Sequence, residues 1–363
     1  MSRDGCRETW DVATVDGRHF CHNINCTWVF DQGGPVLGYR DFHAMGVPMG
    51  PMGIANIYER EAALQLGEIV GPYLKPDSLG VRWFANGSDA CDAAIRVARA
   101  ATGSNWFISV GYHGSSVVFA HAPQCAGVPV ECTASRHDVD FGDLKGLASA
   151  YASIGPAVLA AIMVEVPSTD NAAWEFLGEC RRLCDEAGAL LILDEVVTGF
   201  RIALGGAAEL YGIAPDLACY GKALANGRPI SALVGPRDEM AALADRVFYS
   251  NTYNGDPFHC ALALMTMREL KGSAERVYPH LWYIGAELKR ELNAIGVPVV
   301  GHAPRTALNI SDEGRRREFC WRMIEKGIMI DRPNYASMAH ADKHVRWTWQ
   351  AAAEVLEEMG GLA

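Results

Sequence analysis

Between residues 80 and 235 short apolar runs alternate with longer stretches in which apolar residues recur every three or four positions. The runs at 81–84, 106–110, 159–166, 190–193, 217–220 and 232–234 have the length of strands. Those at 159–166 and 190–193 are apolar but for Glu165, the mark of strands covered on both faces of a parallel sheet. The stretches at 89–101 and 175–187 carry Ala, Ile, Val, Phe and Leu at helical spacing and predict helices between the strands. This alternation implies an α/β domain with a mostly parallel central sheet flanked by helices. Upstream, the pattern predicts strands within residues 10–40, with a hairpin at Val15-Asp16-Gly17-Arg18, then an irregular segment at 46–53 and a helix over 57–74. After residue 272 come predicted helices at 281–294, 315–326 and 341–359 and strands near 298–310, which make a smaller α/β unit. The organisation expected is an N-terminal segment at 1–46, a large domain at 47–272 and a small C-terminal domain at 273–363.

Composition narrows the functional classes. The chain is 50% hydrophobic and 21% charged, an ordinary globular profile, with a net charge of −11. That charge argues against general nucleic-acid binding or a protein that coats anionic membrane, although a local basic pocket for one phosphate is compatible with it. No apolar run reaches the roughly 18 residues of a membrane helix, and residues 1–10 lack an apolar leader core. The 11 cysteines include no CxxC pair and no Cys/His cluster at metal-ligand spacing, so no metal site is expected. Cys180 and Cys184, four apart in a helical pattern, are expected as core thiols, and a reducing cytoplasm is the expected location.

Four segments carry candidate chemistry. Leu191-Ile192-Leu193-Asp194-Glu195 ends an apolar strand on two acids, at the sheet edge where ligands bind. A Walker-B-like metal site would need a GxxxxGK[ST] loop, and Gly221-Lys222-Ala223 is not one. Asp194 is then either a partner for a protonated pyridine nitrogen or a plain helix cap. Lys222 lies just past a predicted strand among apolar residues and glycine; burial makes such an amine a usable nucleophile, although most lysines are simply solvated. Asn86-Gly87-Ser88-Asp89 joins a strand to a helix, which suits either an anion cradle or an ordinary cap by Ser88 or Asp89. Tyr112-His113-Gly114 follows another strand, where an aromatic can stack on a flat ring or merely occupy a loop.

In this order the segments resemble the class III aminotransferases, enzymes of the pyridoxal-phosphate fold type I, and among them the glutamate-semialdehyde aminomutase branch in shortened form. The likeness is carried by Asp194-Glu195-Val196-Val197-Thr198-Gly199-Phe200-Arg201 followed by Ala203-Leu204-Gly205-Gly206, by Pro215-Asp216-Leu217 leading into Gly221-Lys222, by Asn86 to Arg99, and by Ser250-Asn251-Thr252-Tyr253-Asn254-Gly255-Asp256-Pro257. It implies pyridoxal 5'-phosphate held by Lys222 as a Schiff base, with Asp194 on the ring nitrogen. It also implies Val196 under one ring face and Tyr112 on the other, Glu165 near the ring hydroxyl, and the phosphate on Gly87 and Ser88. Thr252 would reach the phosphate across the interface of a homodimer with shared active sites, and His113 matches a family position without a defined role.

Several departures bear on the substrate. The chain is shorter than typical members and begins too late for the family's N-terminal substrate segment, and residues 115–138 are too few for the aminomutase gating loop. Glu165-Val166-Pro167 replaces a glutamate-proline pair, and Asp170 stands where an asparagine is expected. Residues 332–340 lack both the branch's acidic residue and the arginine that clamps an α-carboxylate elsewhere in the family, which leaves Arg40 and Arg332 as substitutes. Two reactions remain open for an amino-bearing small molecule: amino-group transfer by an aminotransferase or aminomutase, or decarboxylation, isomerisation or epimerisation of an amino acid on a carrier such as a sugar nucleotide or a modified nucleotide in DNA. A non-catalytic relative would need neither Lys222 nor Asp194, and a nucleotide hydrolase would need the missing phosphate loop.

Overall fold

The computed structural model describes residues 55–75, 78–120, 125–167 and 173–362. The expected hairpin at 15–18, the irregular segment at 46–53, Arg40 and Asp170 lie outside them. The chain divides into two compact units between Gly272 and Ser273.

The larger unit is built on a seven-stranded sheet. Its strands are β1 (Leu79–Phe84), β2 (Trp106–Val110), β3 (Arg136–Asp138), β4 (Leu159–Glu165), β5 (Leu190–Glu195), β6 (Leu217–Tyr220) and β7 (Ser231–Pro236), in the order β1-β7-β6-β5-β4-β2-β3. β3, β2, β4, β5 and β6 pair in parallel, while β7 pairs antiparallel with both β6 and β1. Every residue of β4 is buried, as its apolar run from Leu159 to Val164 requires, and Glu165 at its end is buried with them. The helix Gly87–Thr102 lays Ala90, Cys91, Ala94, Ile95, Val97 and Ala98 against β5, β6 and β7. Small alanines let its backbone approach the sheet closely. The helix Ala173–Ala187 buries Cys180 and Cys184, as the spacing predicts, and burial pushes the Cys184 thiol up to about 12.

The two longest of the unpredicted helices in this unit are not announced by the alternation of apolar and polar positions. Pro257–Gly272 buries Cys260, Ala261, Leu262, Ala263, Leu264, Met267 and Leu270, a set that runs around the whole helix and erases the 3.6-residue signature. Leu144–Ile154 is short and has a single inward face, Leu147 and Ala150. The expected helix over 57–74 is an α-helix at Ile57–Val70 that tightens to a 3₁₀ turn at Gly71–Tyr73, where Pro72 supplies no N–H.

In the C-terminal unit, β8 (Val299–His302), β9 (Arg305–Leu308) and β10 (Asn334–Tyr335) form an antiparallel sheet in the order β10-β9-β8. Helices Ala274–Ala294, Glu313–Glu325 and Asp342–Met359 accompany it, the first beginning seven residues before its predicted start at 281.

Candidate active site

The carboxyl ends of the central strands set one row of side chains side by side. Glu165 on β4, Asp194 on β5 and Cys219 on β6 are in register, so all three leave the same face of the sheet. Asp194 is 4% exposed. Its Oδ1 accepts from the Val196 N–H at 3.1 Å, and its Oδ2 lies 2.8 Å from Nδ1 of His113 and 3.5 Å from Sγ of Cys91. Asp194 caps no helix, since none begins between it and Ala207; Oδ1 closes a turn at the end of β5, and Oδ2 meets His113 and Cys91. A carboxylate only accepts, so Nδ1 of His113 carries the shared proton.

His113 comes from the loop after β2 and is 2% exposed, its ring 5.3 Å from that of Phe119. Gly111 and Gly114 bracket the loop in left-handed conformations, φ +101° and +100°, and a Cβ on Gly114 would fall 2.2 Å from Oγ of Ser88. The other ring nitrogen of His113, Nε2, is buried with no partner among the described residues.

The helix Gly87–Thr102 begins beside this loop. Its N-cap is neither Ser88 nor Asp89 but Asn86, which takes an extended backbone (φ −154°, ψ 164°) and accepts from the Asp89 N–H at 2.9 Å. Because Asn86 does the capping, the Ser88 hydroxyl is released to accept from the Ser115 N–H at 3.1 Å. The N–H groups of Gly87 and Ser88 have no partner among the described residues, as the first turn of a helix dictates. A Cβ on Gly87 would lie 2.9 Å from Cγ1 of Val196, and one on Gly221 3.2 Å from the same atom. Val196 thus sits between two glycines that bring the helix start and the end of β6 onto it.

Lys222 is half-buried directly beyond β6, with φ +44°, a left-handed conformation that costs a non-glycine residue of the order of 1 kcal/mol. The Gly227 N–H donates to its carbonyl at 2.8 Å, closing the turn that holds it there. The Tyr112 N–H donates to Oε2 of Glu165 at 3.2 Å, while the Tyr112 residue is 66% exposed. Thr252 is exposed on a turn whose Asn254 Oδ1 accepts from the Ala85 N–H at 3.2 Å, next to the Asn86 cap. Arg332 lies in the C-terminal unit, where its guanidinium donates to the carbonyls of Leu308 and Ile310.

Two contributors to the site are not marked in the sequence. Cys91 and Phe119 carry no motif. Glu195 stands beside Asp194, and strand alternation sends it to the opposite face. There it accepts from the Ala207 and Ala208 N–H groups at 2.9 and 2.8 Å and from the Thr198 hydroxyl, while burial pushes its carboxyl up to about 7.

The donor set fits pyridoxal phosphate: a locked acid for a ring nitrogen, unpartnered helix-start N–H groups for a phosphate, a branched apolar side chain between two glycines for a ring face, and a lysine. Acid, helix start and lysine on these strands define a pyridoxal-phosphate-dependent transferase fold. The chain belongs to the class-III aminotransferases, whose family matches residues 51–339. It is 32% identical over 326 residues to glutamate-1-semialdehyde 2,1-aminomutase of Roseiflexus castenholzii (strain DSM 13941 / HLO8), spanning 78% of this chain and 74% of that protein. Among solved structures it is similar to the FumI protein of Sphingopyxis sp. MTA144 in its PLP internal aldimine form (TM-score 0.80, 26% identity, 90% of this chain and 82% of that one). A transaminase with PLP bound shares the fold at a TM-score of 0.79 and 21% identity, over 93% of this chain and 87% of that one. The protein is a PLP-dependent enzyme of the aminotransferase and aminomutase family, and these relatives favour amino transfer over decarboxylation or epimerisation. Among the described residues no helix is long and apolar enough to cross a membrane, and no group of three His, Cys, Asp or Glu residues could hold a metal ion.

Proposed function

We propose that Lys222 holds pyridoxal phosphate covalently through its amine and moves the proton at the reacting carbon of an amino-bearing small molecule. The observation that carries this reading is the buried Asp194, locked by His113 and Val196, in register with a strand that delivers Lys222 two residues beyond its last position. When bound, pyridoxal phosphate supplies an electron sink for charge developing at the substrate carbon.

The chain's own residues would supply the rest. Asp194 accepts from the ring N–H and keeps the ring cationic in a dry site, where a charge-assisted bond is strong. The N–H groups of Gly87 and Ser88 hold the phosphate at the positive end of a 16-residue helix. Val196 would pack beneath the ring, and the exposed Tyr112 would cover the other face. Glu165, fixed by the Tyr112 N–H, would lie on the hydroxyl side. Lys222, half-buried on a strained turn, is placed to act as base and then acid. Thr252 would complete the phosphate site of a second copy of the chain, making the active form a homodimer. The substrate is a small amine or amino acid, free or on a carrier, handled in the cytoplasm.

The test is direct. The holoprotein should show a visible absorbance that borohydride abolishes and that is missing in Lys222→Ala. Amino donors, screened with carrier-linked amino acids included, should bleach the band and yield a carbonyl or a nitrogen-shifted product. A colourless protein without affinity for pyridoxal phosphate refutes the assignment; CO2 release without bleaching refutes amino transfer.

A further inference from the structure

Asp194 has a third partner that amino transfer does not by itself require. Sγ of Cys91 lies 3.5 Å from Oδ2, the same oxygen that faces His113. Cys91 is the fifth residue of the helix whose first residues, Gly87 and Ser88, form the phosphate cradle. Beneath it, Cys219 occupies the β6 position in register with Asp194, in the same buried cluster as Cys91. Both thiols are fully buried. Burial, then Cys219 and Asp194, push the Cys91 thiol up, so it keeps its proton and can only donate towards the carboxylate.

We propose that Cys91 is a positioning residue for Asp194: its thiol, seated on Cys219, ties the acid that meets the cofactor's ring nitrogen to the helix that holds its phosphate. An apolar residue at 91 would fill the same core position without restraining Oδ2. With the thiol present, carboxylate and phosphate cradle are parts of one rigid piece, so the two ends of the cofactor meet groups already at their final separation. The proposal rests on the assignment of Asp194 to the ring nitrogen.

The experiment measures the dissociation constant for pyridoxal phosphate and the visible circular dichroism of the bound cofactor in the full-length protein. Cys91→Ala should weaken binding about threefold, the effect of one weak hydrogen bond to a charged group, and alter the dichroic band. Cys91→Ser, which keeps a donor, should restore both. Cys219→Ala, which removes the same volume but leaves the Cys91 donor, should fall between wild type and Cys91→Ala. Should Cys91→Ala fail to fold, Cys91→Val, close in volume and without a donor, carries the same expectation. Wild-type values in the alanine or valine variant, an absence of rescue by serine, or equal losses at 91 and 219 would overturn the proposal. Asp194→Asn separates the two claims: if it weakens binding while Cys91→Ala does not, only the role of Cys91 is lost; if it changes nothing, the reading of Asp194 falls as well.

Discussion

Nδ1 of His113 and Oδ2 of Asp194 lie 2.8 Å apart, both residues buried, one on the loop after β2 and the other near the end of β5 in the same mostly parallel sheet. His113 therefore fixes the direction in which the Asp194 carboxylate points. Its second nitrogen is buried without a partner among the described residues, a cost that packing alone would not retain. His113→Phe preserves the ring packed against Phe119 and deletes the donor. It should weaken pyridoxal-phosphate binding about tenfold, the equivalent of about 1.4 kcal/mol for a hydrogen bond to a charged group. Equilibrium dialysis of the refolded apoprotein measures this, and unchanged affinity would assign His113 to packing.

Gly87 and Val196 form the second tight relationship of the site. A Cβ at 87 would stand 2.9 Å from Cγ1 and 3.1 Å from Cγ2 of Val196, so Gly87→Ala must push the helix start or the Val196 side chain away. Overpacking of this size costs about 1–3 kcal/mol, and it displaces N–H groups aimed at a phosphate. Cofactor affinity should fall by one to two decades, to order of magnitude. The double variant Gly87→Ala with Val196→Ala removes the clashing methyls and should recover part of the loss. A double-mutant cycle with no coupling between the two positions would contradict this account.

Part of the candidate site is legible in the sequence, and the part that is not has a physical pattern. Asp194, Lys222, Gly87 and Ser88 were readable because each sits at a strand end or helix start, where local sequence dictates backbone and chemistry together. The core strands were readable for the same reason: an apolar run such as 159–164 has one stable place, the middle of a sheet. The cap at Asn86 was misassigned to Ser88 or Asp89 because all three are good capping residues and only the extended backbone at 86 decides between them. The partnership of His113 with Asp194 and the thiol of Cys91 were illegible. They join residues 81 and 103 positions apart, and nothing local marks such a contact. The all-round apolar helix Pro257–Gly272 was hidden by the loss of its own periodicity.

Glu195 gives the site a pH signature in stability. Burial raises its carboxyl from an ordinary 4.5 to about 7, despite donors from Thr198, Ala207 and Ala208. A carboxyl whose folded value exceeds its unfolded value binds protons more tightly in the native state. Its contribution is complete below pH 4.5, declines as the pH rises towards 7, and is lost above it. The loss amounts to about 3 kcal/mol at most. Glu195→Gln does not ionise, although its single carbonyl oxygen can accept from only one of the Ala207 and Ala208 N–H groups; it should be less stable overall, and its denaturation midpoint should vary less with pH across this window than that of the wild type. Parallel urea titrations at pH 4.5, 6 and 8 check this; curves of equal slope against pH would show that Glu195 does not titrate in the window.

Phe248 supplies the last prediction, which concerns the second copy of the chain. It is 83% exposed, Tyr253 is 64% exposed, and Thr252 lies between them in sequence on the turn tied to Ala85. Two bare aromatic rings within six residues cost solvation in a monomer and are what an interface would cover. A two-fold interface uses each residue twice. Burying one phenylalanine contributes about 1.5–3 kcal/mol, so Phe248→Glu should weaken dimerisation by at least twice that, about two to four decades in the dissociation constant. The variant should leave a gel-filtration column as a monomer at micromolar concentration. On the proposal that Thr252 completes the phosphate site of a second copy, it should also bind pyridoxal phosphate less tightly. A monomeric wild type with full activity would remove Thr252 from the cofactor site; a dimer untouched by Phe248→Glu would place the interface on another surface.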